Sequence, residues 1–220
     1  MPALPAIDVD SPKLPAGQGL ASASCCPSFG VIYADPPWRY DFAQANSRAI
    51  ENQYPTMSDE EICAMEIPAA KDAILYLWTV APRLPAGMAI MQAWGFQYKT
   101  CAVWDKVKVG MGYWFRGQHE ILMVGTRGNV SPPPQSLRIS SVIRCPRGRH
   151  SAKPDIVRDK IAEWYPDVPK LEMFSRLKRP GWEVFGNQVE YDLLSNADPI
   201  RDNAFDVATK PAPDGSEKHE

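Results

Sequence analysis

Phe29-Gly30-Val31-Ile32-Tyr33-Ala34-Asp35-Pro36-Pro37-Trp38 is the stretch from which the fold can be read. Its first six residues form a short apolar run, as a strand buried on both faces requires. Pro36 and Pro37 carry no N–H donors, so the ladder must stop there and the strand empties into a rigid loop. Asp35 therefore stands at the carboxyl end of a buried strand, the position where open parallel sheets bind their ligands.

Working outward, Met57-Ser58-Asp59-Glu60-Glu61-Ile62 predicts a capped helix start, with Ser58 as N-cap, Glu61 three residues on, and an end before Pro68. Ala73 to Thr79 reads as a second strand, and Leu84 to Trp94 as a helix that Gly95 ends. Phe96 to Trp104 and Glu120 to Gly125 are expected strands, joined by a mobile loop around Gly110-Met111-Gly112-Tyr113-Trp114-Phe115-Arg116-Gly117. A helix should open at Lys153-Pro154-Asp155 and run to about Trp164, with strands at Leu171 to Phe174 and Trp182 to Phe185. Strands alternating with helices predict an α/β sandwich with a largely parallel sheet. The expected organisation is a flexible Ala/Pro/Ser-rich leader over 1–27, a folded domain over 28–191 and an acidic, disordered tail over 192–220.

At 220 residues, with 45% hydrophobic and 23% charged residues, the chain can bury a full core, which excludes a miniprotein and a wholly disordered chain. Its longest apolar stretch, Ala73 to Ala81, falls far short of the roughly 20 residues of a membrane-spanning helix. The N-terminal residues lack the basic and apolar regions of a secretory signal, so an intracellular, cytoplasmic protein is expected. The 5 cysteines include no Cys-x-x-Cys pair and read as reduced thiols, and His119, His150 and His219 are too scattered to suggest a metal site. No Gly-x-Gly-x-x-Gly follows any strand, which disfavours a dinucleotide oxidoreductase.

Asp35-Pro36-Pro37-Trp38 can serve as a mere turn terminator, but its chemistry suits a planar base bearing an exocyclic amine. A carboxylate and proline carbonyls accept from the two N–H groups, and the indole offers a stacking face. The N6 lone pair of adenine is delocalised into the ring. Hydrogen bonds to the Asp35 carboxylate and the Pro36 carbonyl would favour a pyramidal nitrogen aimed at an electrophile, catalysis by positioning and electrostatics.

Asp35-Pro36-Pro37-Trp38, Tyr54 through Glu61, Leu75-Tyr76-Leu77-Trp78, Ala93-Trp94-Gly95-Phe96, Glu120 through Gly128 and Trp182 through Gln188 occur in an order that resembles the MT-A class of N6-adenine methyltransferases. That family includes the catalytic subunit of the eukaryotic mRNA adenosine methyltransferase and many short bacterial and phage members. The resemblance spans about Phe29 to Val189. It implies a Rossmann-like methyltransferase sheet in permuted motif order, S-adenosylmethionine as methyl donor, adenine N6 as acceptor and base flipping from a duplex.

By the same resemblance Asp35 is the catalytic acid, also near the donor's amino group, with Pro36, Pro37 and Trp38 beside it. Lys153 is implied to reach the donor carboxylate, and Arg176, Asn187 and Gln188 to surround its ribose and adenosine end. Tyr54 and Glu120 correspond to positions lining the base pocket. Ordinary alternatives stand beside each: a surface lysine at a helix start for Lys153, an Asn-containing turn for Asn187 and Gln188, packing for Tyr54, a solvated strand-end charge for Glu120. Ala23-Ser24-Cys25-Cys26 stands where longer relatives carry an acidic residue that reads the donor's adenine, and Lys178 replaces a histidine of the mRNA enzyme.

Arg138 to Lys160 is the strongly basic zone, with Arg147 and Arg149 as candidate phosphate contacts, and Tyr113, Trp114 and Arg116 interleave aromatics with charge as base stacking requires. The alternative is a solvated basic face. DNA is the expected substrate; RNA, or a non-catalytic nucleic-acid-binding subunit, is the rival, and a homodimer or second subunit is an open partner.

Overall fold

The computed structural model describes residues 27–39, 56–112, 114–148, 152–175 and 177–186. The leader and tail expected at the ends, apart from Pro27, lie outside these, as do Tyr54, Tyr113, Arg149, Arg176, Asn187 and Gln188.

Strands β1 (Phe29–Ala34), β2 (Ala69–Thr79), β3 (Gln97–Asp105), β4 (His119–Arg127), β5 (Val142–Arg144), β6 (Lys170–Met173) and β7 (Glu183–Phe185) form one sheet in the order β5-β3-β4-β2-β1-β6-β7. β1 pairs in parallel with β2 on one side and β6 on the other, and β6 with β7 and β3 with β5 are parallel as well. Only β4 among the described strands runs the other way, pairing antiparallel with both β2 and β3. The sheet is mostly parallel and α/β, in keeping with a Rossmann-like fold, and the late strands β6 and β7 lie beside the first one, as permuted order requires.

Helices α1 (Asp59–Cys63), α2 (Leu84–Ala93) and α3 (Asp155–Trp164) cover the two faces. Alternation along β1 divides the core. Ile32 and Ala34 face Ile62 of α1 and Ile90 and Met91 of α2, whereas Val31 and Tyr33 face Val157 and Ile161 of α3. β2 divides in the same way, Leu75 and Leu77 on one side, Ile74, Tyr76 and Trp78 on the other. The link from β1 to β2 passes α1 on one face and the link into β6 passes α3 on the opposite face. The carboxyl end of β1 is thus a topological switch point.

The helix starts and stops follow the sequence closely. Ser58 accepts from Glu61 N while the Glu61 side chain accepts from Ser58 N, a complete capping box. α2 closes before Gly95, whose φ of 78° is the left-handed stop its position needs. Two features depart from expectation. β2 begins four residues earlier than Ala73, at Ala69. β5, within the basic zone, is a strand too short for periodicity to reveal; it exists because Val142–Arg144 finds β3 as a partner.

Trp94 ties α1 to α2, its buried indole N–H donating to the Ile62 carbonyl at 2.9 Å. Trp94→Phe keeps the ring but orphans that carbonyl, and is expected to lower the unfolding free energy by about 1–3 kcal/mol, read from urea titration monitored by circular dichroism.

Candidate active site

Asp35 leaves β1 at the switch point, just past Ala34, which pairs with Met173 at the end of β6 and with Leu77 of β2. Its carboxylate accepts from the Lys153 ammonium at 2.7 Å, although the two residues stand 118 positions apart. Lys153 lies just before α3, and the same Nζ is 3.3 Å from Oε2 of Glu120, the second residue of β4. Glu120 Oε1 in turn accepts from Lys106 Nζ at 3.2 Å, just past the end of β3. Four charges alternate in sign across the carboxyl edge of the sheet: Asp35, Lys153, Glu120, Lys106.

The Lys153 side chain is only 12% exposed, so it is no surface lysine. Burial works against its charge, but the Asp35 and Glu120 carboxylates outweigh that and hold its pKa above the ordinary lysine value. The Trp78 ring, 5.8 Å from Nζ, adds a π-face. Trp78 is itself fixed by its indole N–H donating to the Tyr33 hydroxyl at 2.7 Å and by an edge contact with Trp104. Burial drives the Tyr33 phenol far above its usual range, so it stays neutral and serves as an acceptor. Arg158 of α3 lies 5.8 Å from the Tyr33 ring and 3.1 Å from the buried Glu172 carboxylate of β6. Burial raises the Glu172 pKa against the pull of that guanidinium.

Asp35 keeps 35% of its side chain exposed, the highest of the site's buried or half-buried acids, and so remains open to a ligand. The prolines behave differently from the sequence expectation of two carbonyls left for a base. Pro37 O accepts from Met57 N and Pro36 O from Trp38 N, each at 2.9 Å. The ladder that the prolines were expected to stop resumes as a single bridge, Trp38 to Met57. Pro37 O thereby anchors the returning chain at Met57, and Pro36 O, engaged by Trp38 N, keeps a second lone pair.

Trp38 also departs from its expected role as an open stacking face. It is 5% exposed and belongs to the core, with the Arg83 guanidinium 5.8 Å from its ring. Arg83 pairs with Asp59 in the first turn of α1. Trp38 therefore fixes the loop against α1 and the end of β2, a role that no local signal separates from stacking.

On the other side of Asp35, Phe174 follows β6 with φ 62°, an outlier for a bulky residue. It is held there by the Ser175 N–H donating to Phe185 O at 2.9 Å and by the Phe174–Phe185 edge contact. A Cβ on Gly186 would collide with the Ser175 backbone, so the exits of β6 and β7 are pressed together. Among the remaining sequence candidates, Trp114 and Arg116 sit exposed on the β3–β4 loop and Arg147 is exposed after β5. Lys106 is the site residue that sequence reasoning missed, since a lone lysine after a strand carries no motif. Among the described residues no cluster of three His, Cys, Asp or Glu side chains is placed to hold a metal ion, and no helix is long and apolar enough to cross a membrane.

A family model described as MT-A70 matches residues 29–188. The chain is 32% identical over 181 residues to the Type II methyltransferase M.MunI of Mycoplasma sp, covering 73% of this chain and 78% of that protein. It is 28% identical over 183 residues to the human N(6)-adenosine-methyltransferase catalytic subunit METTL3 and 29% over 173 residues to a Drosophila melanogaster MT-A70-like protein. Those matches cover 78% and 74% of this chain but only 30% and 27% of the eukaryotic proteins.

The raised Lys153 pKa has a definite sign in stability. The ion pairs contribute fully below the unfolded lysine pKa, near 10.4, and are lost as pH rises through the higher folded value. Lys153→Met is expected to unfold at lower urea than the parent at neutral pH, and the gap between the two midpoints should narrow steadily above about pH 10.

Proposed function

The chain belongs to the MT-A70 family, and on that premise we propose that it transfers a methyl group from S-adenosylmethionine to N6 of adenine in DNA. The observation that carries this reading is Asp35, an accessible carboxylate at the switch point, one bond from the Lys153 ammonium. M.MunI, of which the chain spans 78%, is named a Type II methyltransferase, and this favours DNA.

The residues present fit the proposed donor. A methionine moiety bears a carboxylate and an ammonium, and Lys153 and Asp35 offer the complementary cation and anion side by side. The Phe174 and Phe185 rings supply an apolar flank at the exits of β6 and β7. Arg176, Asn187 and Gln188 are proposed to hold the ribose and adenosine end. When bound, S-adenosylmethionine supplies an electrophilic methyl group on a sulfonium.

The chain's own residues do the rest. The Asp35 carboxylate accepts one N6–H of adenine, and the free lone pair of Pro36 O accepts the other, which disfavours the planar, delocalised amine. Met57 N and Arg83 hold the loop so that these two acceptors keep their spacing. Glu120, tied to Lys153 and Lys106, is proposed to border the base pocket together with Tyr54, and it keeps Lys153 charged when Asp35 turns to its ligands. Arg147 and Arg149 are proposed to meet phosphates.

The test is nucleoside mass spectrometry of DNA and RNA from a host without adenine methylation, expressing the parent or Asp35→Ala. N6-methyldeoxyadenosine is expected with the parent and should fall by about a thousandfold or more in the variant. Methylation of RNA alone would move the substrate class, and an unaffected Asp35→Ala would remove its assigned role. Arg147→Ala is expected to shrink the slope of log K against log salt for duplex binding by about 0.9, with donor affinity unchanged in calorimetry.

A further inference from the structure

Residues 106–118, which join β3 to β4, hold three cations, Lys106, Lys108 and Arg116, and no acid. They also carry the most exposed large apolar side chains of the described residues: Trp114 at 94%, Phe115 at 89% and Met111 at 86%. Such a cluster on the rim of a site is not an incidental surface feature.

The Gly-rich sequence predicts a mobile loop here, whereas the described residues are tied together by hydrogen bonds. Asp105 clamps both legs of the root, its Oδ1 accepting from Val107 N and from Gln118 Nε2, each at 2.8 Å. Val107 is held at φ 67°, an outlier for a β-branched residue. Higher up, Lys106 N donates to Gln118 O at 2.8 Å, Gly110 N to Gly117 O at 2.7 Å and Gly117 N to Met111 O at 3.1 Å. Arg116 Nε donates to Gly110 O at 3.1 Å. A Cβ on Gly112 would strike the Phe115 carbonyl, so only glycine admits the tight tip. The root is continuous with the site, because Lys106 bonds Glu120, which meets Lys153, which bonds Asp35.

A pinned hairpin that holds apolar rings out in water needs a partner that buries them. The cations around it, with exposed Arg144 at the end of β5 and Arg147 just after it, select a polyanion with flat apolar faces inside. We propose that Trp114 and Phe115 form a wedge that enters the base stack of duplex DNA beside the target adenine and fills the space left when that base leaves. This rests on the reading of the chain as an adenine methyltransferase acting on DNA. A flipped base leaves a gap lined by π-faces, and apolar side chains at other protein–DNA contacts act by partial unstacking. The hydrogen bonds that pin both legs of the loop lower the ordering entropy that opposes insertion.

The experiment compares the parent, Trp114→Ala/Phe115→Ala and Trp114→Phe on adenine-unmethylated genomic DNA, native and heat-denatured. The double variant is expected to lose at least about tenfold more in rate on the native duplex than on the denatured strands, where no base need be extruded. Trp114→Phe keeps a stacking face and should retain most of the duplex rate. Equal losses on both forms, or none on the duplex, overturn the wedge. So does a shift in sedimentation mass between parent and double variant, which would make the cluster a face between copies of this chain. A parent that methylates neither form counts against the proposed function, and the wedge is then read separately. A random-sequence duplex with 2-aminopurine in place of adenine should brighten on binding the parent and not the double variant, and a parent that leaves it dark overturns the wedge.

Discussion

Everything at the carboxyl edge of the sheet turns on one ammonium group. Lys153 Nζ sits between the carboxylates of Asp35 and Glu120 and beside the Trp78 ring, and it is shielded from water. Each of those partners comes from a different strand, β1, β4 and β2, and Lys153 itself comes from the lead-in to α3. A buried cation is tolerated only where paired charge and π-face make good its lost hydration. Strand lengths, the antiparallel insertion of β4 and the docking of α3 must therefore agree at this point. Trp78 is locked by Tyr33, and Tyr33 lies against Arg158, so the positions of α3 and of the site lysine are set by one connected set of contacts.

The same arrangement explains how a site with two acids remains usable. Without Lys153 between them, the Asp35 and Glu120 carboxylates would repel each other. With Lys153 between them and Lys106 behind Glu120, the edge is balanced at two acids and two bases. Asp35 stays the most accessible of the four, so a ligand that brings its own charge pair can exchange partners with it at little cost. The inner site is neutral in sum and exerts little pull on a polyanion. The positive charge of this edge lies at the rim, on Arg116, Arg144 and Arg147, all exposed.

Much of this was legible in the sequence. The apolar run Phe29–Ala34 ending in Asp35-Pro36-Pro37 announces a buried strand and its exit, and the capping box at Ser58 and the stop at Gly95 fix two helix ends by local chemistry alone. The Lys153 pairing was not legible, because a contact across 118 positions exists only once the sheet order is known. β5 was missed because three residues cannot show a period. Trp38 was misplaced for a subtler reason. Its neighbours in sequence are the candidate site residues, but its neighbours in space are Met57 and Arg83, and burial at 5% makes it a brace for the loop. Lys106 shows the converse, a lone charge after a strand that joins Glu120 when β3 and β4 pair.

Net charge is the weakest guide to what this chain binds. The formal charge of −2 reads as indifferent to nucleic acid, yet residues 192–220 hold seven acids against three Lys or Arg residues. Removing that segment from the sum leaves the rest of the chain positive. The acids of the described site are engaged by lysines, while Arg116, Arg144 and Arg147 project from the same edge. At physiological salt a field is felt over roughly 8 Å, so a phosphate backbone near that edge responds to those arginines and not to the chain average. Attraction at the rim and neutrality within are thus set on one edge by which charges are paired and which are exposed.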